Sequence, residues 1–174
     1  ATGFVRLQAT YGDRTFFSNP ALVTKDDRPA IVWGDPHIHT TVGDCHAERC
    51  RTRNLAYVIA RHVYGLDFVA IADHVSWAPR GTKGKWLDNL AKCELYDDPG
   101  RFSALICYET SMKGGHGGDN NVYLRERQDD YVDPWPEEMH AGQLCEVLSG
   151  NFFIVPHHTT RTGKHGEIPA EIYP

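Results

Sequence analysis

Four short segments place metal-capable side chains at regular points along the chain. "GDPHIHTTVGDCH" carries His37 and His39 two apart, then Asp44, Cys45 and His46. "LDFVAIADH" ends on Asp73 and His74, "SALICYE" on Glu109, and "NFFIVPHH" on His157 and His158. Each cluster follows an apolar run. An extended chain alternates its side chains, so His37 and His39 can point to one side and share an ion. Neutral imidazole suits zinc, iron and manganese, and a carboxylate such as Glu109 can bridge two ions and offset their charge. One His-x-His pair alone is a weak signal. The same chemistry after four separate apolar runs is a much stronger one.

The elements that must position these residues can be read from pattern. "AIVWGD", "LDFVAIAD", "RFSALICYE", "NVYLRE" and "NFFIVP" read as strands, the second and last as buried ones. Apolar residues at Leu55, Val58, Ile59, Val63 and Tyr64 describe an amphipathic helix stopped by Gly65. "GKWLDNLAKCELYDDPG" and "EEMHAGQLCEVLSG" read as two more helices, and "MKGGHGGDN" as a glycine-rich loop. Strands alternating with helices predict βα units and a parallel sheet or barrel, whose sites gather at the carboxyl ends of the strands.

Within this frame His37, His39, Asp44, His74, Glu109 and His157 are the candidate metal ligands. Cys45 and His46 share the loop with Asp44 and are alternatives to it. Asp73 is a ligand or the partner that fixes the ring of one. Neighbours in an extended chain face opposite sides, so His157 takes the metal and His158 the substrate or an outer position. His116 and Asp119 are polar candidates in the glycine-rich loop, where backbone can approach a phosphate. Arg161 and Lys164, in "TTRTGKHG", are candidates for an anionic substrate, set against the alternative of solvated loop charges. His62, His140 and His165 are given no role.

Composition sets the bounds. The 174 residues are enough for one domain with a core, at 41% hydrophobic and 24% charged. A net charge of −5 argues against a general nucleic-acid binder. No apolar run reaches the roughly 20 residues that span a bilayer, and no signal-peptide pattern opens the chain. A trimmed exported protein would read the same, so the compartment stays open. The five cysteines form no Cys-x-x-Cys pair. Cys107 is expected to be a buried thiol; Cys45 and Cys50 are either reduced or paired. Residues 1–29 read as the tail of an upstream β-rich module with "KDDRP" as linker, its short strands joined at a Tyr-Gly-Asp turn.

The ordered motifs "GDPHIHTTVGD", "GLDFVAIADH", the strand ending in Glu109 and "IVPHHT" resemble the polymerase-and-histidinol-phosphatase (PHP) superfamily of metal-dependent phosphoesterases. "SNPALV", "DPGRFSALICYE", "NNVYL", "VPHHTTRTG" and "AEIYP" look like its DUF3604 branch. The resemblance runs from about Ser18 to the end. It implies a distorted (β/α)7 barrel, here partial, holding two or three divalent ions (manganese, zinc or iron) and acting on a small phosphorylated substrate. His37, His39, His74, Glu109 and His157 match the ligand positions, and Asp44 or Cys45 falls near the next. Branch members carry His before "NV" where this chain has "DNNV"; Asp119 would substitute, or His116 would reach in. The family's late Asp/His motif is missing. Residues 30–174 therefore read as the N-terminal portion of such a domain, with a complementary C-terminal chain as a partner. The implied chemistry is metal-assisted hydrolysis, with Glu109 bridging, Asp73 orienting a ligand, and His158 or Arg161 meeting charge on the leaving group. Two other readings stand beside it. One is a metal-stabilised module without turnover. The other is an amidohydrolase-like enzyme, although no lysine here ends an apolar strand.

Overall fold

A computed structural model describes residues 3–18, 20–23, 31–43, 50–75, 82–112, 118–134 and 139–157. Among them the order is β1 (Gly3–Val5), β2 (Gln8–Tyr11), β3 (Arg14–Phe17), β4 (Ala21–Val23), β5 (Gly34–Ile38), α1 (Arg53–Val58), β6 (Phe68–Ile71), α2 (Lys83–Tyr96), β7 (Ser103–Ser111), β8 (Asp119–Leu124), α3 (Ala141–Val147) and β9 (Phe152–His157). β2 and β3 form an antiparallel ribbon across the expected Tyr-Gly-Asp turn, and β1 pairs with β4.

The remaining strands form one curled sheet in the order β5-β6-β7-β8-β9, a mixed α/β half-barrel. β5, β6 and β7 are parallel, as βα alternation predicts. β6 is the buried strand its apolar run announces, with Val69, Ala70 and Ile71 inaccessible and Phe68 half-buried. The expectation of a parallel sheet fails at β8, which runs antiparallel to both β7 and β9. Only residues 112–118 separate β7 from β8. A parallel return needs a crossover of a dozen residues or more, so the strand reverses instead. Two reversals cancel, and β9 runs in the direction of β7.

Helices cover one face of this sheet. α2 turns Trp86, Asn89, Leu90 and Cys93 inward, the spacing of one helical face. Thr82 caps it, accepting from the Lys85 backbone N–H. Trp86, Leu90, Tyr108, Val122 and Leu144 belong to one core cluster, and Tyr57, Val69, Ile71, Phe102 and Cys93 to another. α3 begins later than expected because His140 takes the N-cap, with Gln143 completing a reciprocal capping box.

Three elements differ from their sequence reading. β5 starts at Gly34, and Ile31, Val32 and Trp33 lie exposed before it. β9 is an edge of the described sheet rather than a buried strand, with Phe153 58% and Val155 40% exposed. α1 buries Arg53, Ala56, Tyr57 and, past its end, Ala60, and leaves Leu55, Val58, Val63 and Tyr64 exposed. Tyr57 stacks on Tyr96 and meets Phe102 edge-on, and Arg53 finds a buried acid, so aromatic packing and an ion pair set the inward face. A π-helical turn over Ile59–Val63 follows, and Gly65, at φ +65°, ends it as expected. No helix of the described residues is long and apolar enough to cross a membrane.

Candidate metal centre

The face of the sheet opposite the helices holds the candidate ligands. Strand pairing sets rows across it: Glu109 lies opposite Asn121, and Ser111, Asp119 and His157 share the next row. His74 forms a single parallel bridge to Glu109 just beyond β6. With period 2, this face takes Ala70, Ala72 and His74, then Cys107 and Glu109, then Asp119, Asn121 and Tyr123, then His157. Cys107 is the inaccessible thiol expected. Because β9 parallels β7, its carboxyl end comes to the same rim as those of β5, β6 and β7.

β5 reaches that face through an irregularity. Asp35 pairs with Val69, but Ile38 pairs with Ile71, so the register shifts by one residue between them. Without the shift, Pro36 and Ile38 would face the site. With it, His37 and His39 do. The Tyr123 hydroxyl donates to the Pro36 carbonyl at 2.7 Å, anchoring the bulge across the curl from β8. The Asp35 carboxylate accepts from the His37 backbone N–H at 3.0 Å.

The result is two histidine pairs around one carboxylate. The rings of His37 and His157 stack with centroids 4.3 Å apart, and those of His39 and His74 at 5.0 Å. Glu109 Oε2 lies 3.0 Å from His39 Nε2, 3.4 Å from His37 Nε2 and 3.6 Å from His74 Nε2. His37 Nε2 and His39 Nε2 are themselves 2.8 Å apart. Two ligand sets follow, His37–Glu109–His157 and His39–His74–Glu109, each within 4.8 Å and both using Glu109.

Glu109 is 1% exposed, and a buried carboxylate needs compensation. Burial pushes its carboxyl up, but the contacts with His37 and His39 and the charge of His74 outweigh that and hold it far below the usual range. Burial pulls His39 down; contact with Glu109, with the fields of Asp73 and Asp119, lifts it above an ordinary imidazole. Yet Oε2 makes no aligned N–H···O bond, and His39 Nδ1 is also buried without a partner among the described residues. Ring nitrogens and a carboxylate oxygen that makes no aligned hydrogen bond crowd around one space, an arrangement that could hold a cation.

Five of the candidates, His37, His39, His74, Glu109 and His157, thus come together. Asp119 is buried opposite His157 on the same rim. Asp73 bonds to Thr40 and Arg53. Its carboxylate accepts from the Thr40 N–H and hydroxyl, both at 2.6 Å, and from Arg53 at 3.0 and 2.9 Å. Arg53 also donates to the Lys85 carbonyl and the Asp88 carboxylate, each at 2.8 Å. Asp73 precedes His74 and Thr40 follows His39, so this network ties the two backbones that carry one histidine pair. Gly43 closes over it; a Cβ there would meet Asp73 Oδ1 at 2.8 Å. Asp44, His116, His158 and Arg161 lie outside the described residues, as does Cys45.

Sequence reasoning passed over Arg53, Tyr123 and Asn121. Arg53 on an apolar helix, with an acid preceding His74, was a usable signal for a buried ion pair. Asn121 opens the strand read as "NVYLRE", and only the strand register puts it beside Glu109. Comparisons with protein-family models, with curated proteins and with solved structures give no match, so the centre's chemistry rests on its own geometry.

Proposed function

We propose that this chain is a metal-dependent hydrolase acting on phosphate esters at a two-ion centre, of the PHP type its motifs resemble. The observation that carries the proposal is the sharing of one buried carboxylate, Glu109, by two histidine pairs. A single structural ion needs four closed ligands and no bridging acid. Paired ions about 3.5–4 Å apart are characteristic of phosphatases and nucleases. His37 and His157 would hold one ion, His39 and His74 the other, with Glu109 between them and Asp119 at the rim. Ions held there supply Lewis acidity at a phosphoryl oxygen and make water a nucleophile near neutral pH.

The chain's own residues do the rest. Glu109, itself buried, would offset cationic charge where its carboxyl is already held ionised. The Asp73–Thr40–Arg53 network fixes the backbone beside His39 and His74. The bulge at Pro36 turns His37 and His39 inward.

The test is metal content with turnover. The purified protein should carry manganese, zinc or iron and hydrolyse p-nitrophenyl phosphate mono- or diesters. The double variant His37→Ala with His39→Ala should lose both metal and activity. Unchanged metal content in that variant would overturn the assignment. Bound metal with no turnover on any ester would instead favour a metal-stabilised, non-catalytic module.

A further inference from the structure

We infer that Asn121 positions His37 and thereby makes the two halves of the centre unequal, an inference that rests on the two-ion reading above. Asn121 is 3% exposed and directly opposite Glu109 in the β7–β8 ladder. Its amide nitrogen, Nδ2, lies 2.7 Å from His37 Nδ1, the ring nitrogen turned away from Glu109. Its amide oxygen, Oδ1, is buried without a partner among the described residues.

A half turn of the terminal torsion exchanges amide oxygen and nitrogen in nearly the same volume. Only one arrangement suits a ligand. With the oxygen on Nδ1, that nitrogen carries the proton, and the Nε2 lone pair faces Glu109. With the amide nitrogen donating to Nδ1, the neutral ring has to carry its proton on Nε2, where no ion could then bind. Metal-ligating histidines characteristically donate their second N–H to a carbonyl or carboxylate, which fixes the tautomer and ring orientation and raises basicity. Asn121 supplies that acceptor to the His37–His157 pair. His39, in the other pair, has no such partner on Nδ1 among the described residues.

The ion held by His37 and His157 therefore depends on Asn121, and the one held by His39 and His74 does not. The experiment is calorimetric titration of the metal-stripped protein with zinc, with cobalt absorption spectra as a second readout, on wild type, Asn121→Leu and Asn121→Asp. Wild type should take up two ions with different affinities. Asn121→Leu, which keeps the volume and removes the acceptor, should weaken one of them by about 10- to 100-fold and leave the other. Asn121→Asp, which can only accept, should keep both or tighten the affected one. Melting of the stripped variants separates misfolding from positioning. Equal weakening of both ions, wild-type affinities in Asn121→Leu, or loss of an ion in Asn121→Asp would overturn the inference while leaving the two-ion reading intact. A wild-type protein that binds no ion would overturn both.

Discussion

Glu109 does two things that pull in opposite directions. It sits where a carboxylate is costly, and it is kept ionised there by imidazoles that are also the proposed metal ligands. Replacing it by glutamine keeps the shape and removes the charge that both ions would share. Glu109→Gln should weaken binding of both ions, by more than the ~100-fold typical of losing an outer partner. Removal of the charge should also abolish ester hydrolysis. Metal analysis after dialysis, alongside the phosphoester assay, checks this. Retention of two ions would show that the carboxylate does not bridge. The residue scale was the most legible in the sequence, because imidazole and carboxylate side chains following apolar runs have few structural reasons to recur. Asn121 was not legible, since an amide announces neither a metal nor a proton donor until register places it against a ring.

At the scale of elements, the strand ends are held in position by a charge network that the sequence disguised. Arg53 lies in a helix whose apolar residues suggested a different inward face. It is 4% exposed, and its partner Asp73 also accepts from Thr40. Removing one partner of such a pair leaves the other charged and buried, so Asp73→Ala should cost about 3–5 kcal/mol of stability. Urea unfolding of the metal-free protein measures it, and a cost below about 1 kcal/mol would mean the pair behaves as a surface one. Metal affinity should fall more at the His39–His74 pair than at the other. The βα pattern gave β5, β6 and β7 correctly but not β8, because a parallel return is a property of connection length as well as of alternation. The site survived that error: two successive reversals restore direction, so His157 still ends its strand on the ligand rim. The bulge at Pro36 was hidden for a related reason. A one-residue slip changes which side chains face inward, and only pairing with β6 reveals it.

Across the whole molecule the proposed centre would link folding to metal and to protons. Without ions, Glu109 and His39 stabilise each other, and each contributes over its own range. The Glu109 carboxyl is lowered on folding, so its contribution is present above about pH 4.5 and is lost as pH falls through the lowered value. His39 is raised, so its contribution is complete below about pH 6.5 and disappears as pH rises through the raised value. The metal-free protein should therefore lose melting temperature as pH rises above about 6.5 and through the raised His39 value. Ion binding runs the other way. Each imidazole must give up its proton to ligate, so affinity strengthens as pH rises, and binding to the folded state alone raises stability. The difference in melting temperature between metal-loaded and chelator-stripped protein should widen across that same interval. Scanning calorimetry of both forms at several pH values follows the two curves. A difference that stays constant or narrows would show that the histidines do not exchange protons for metal.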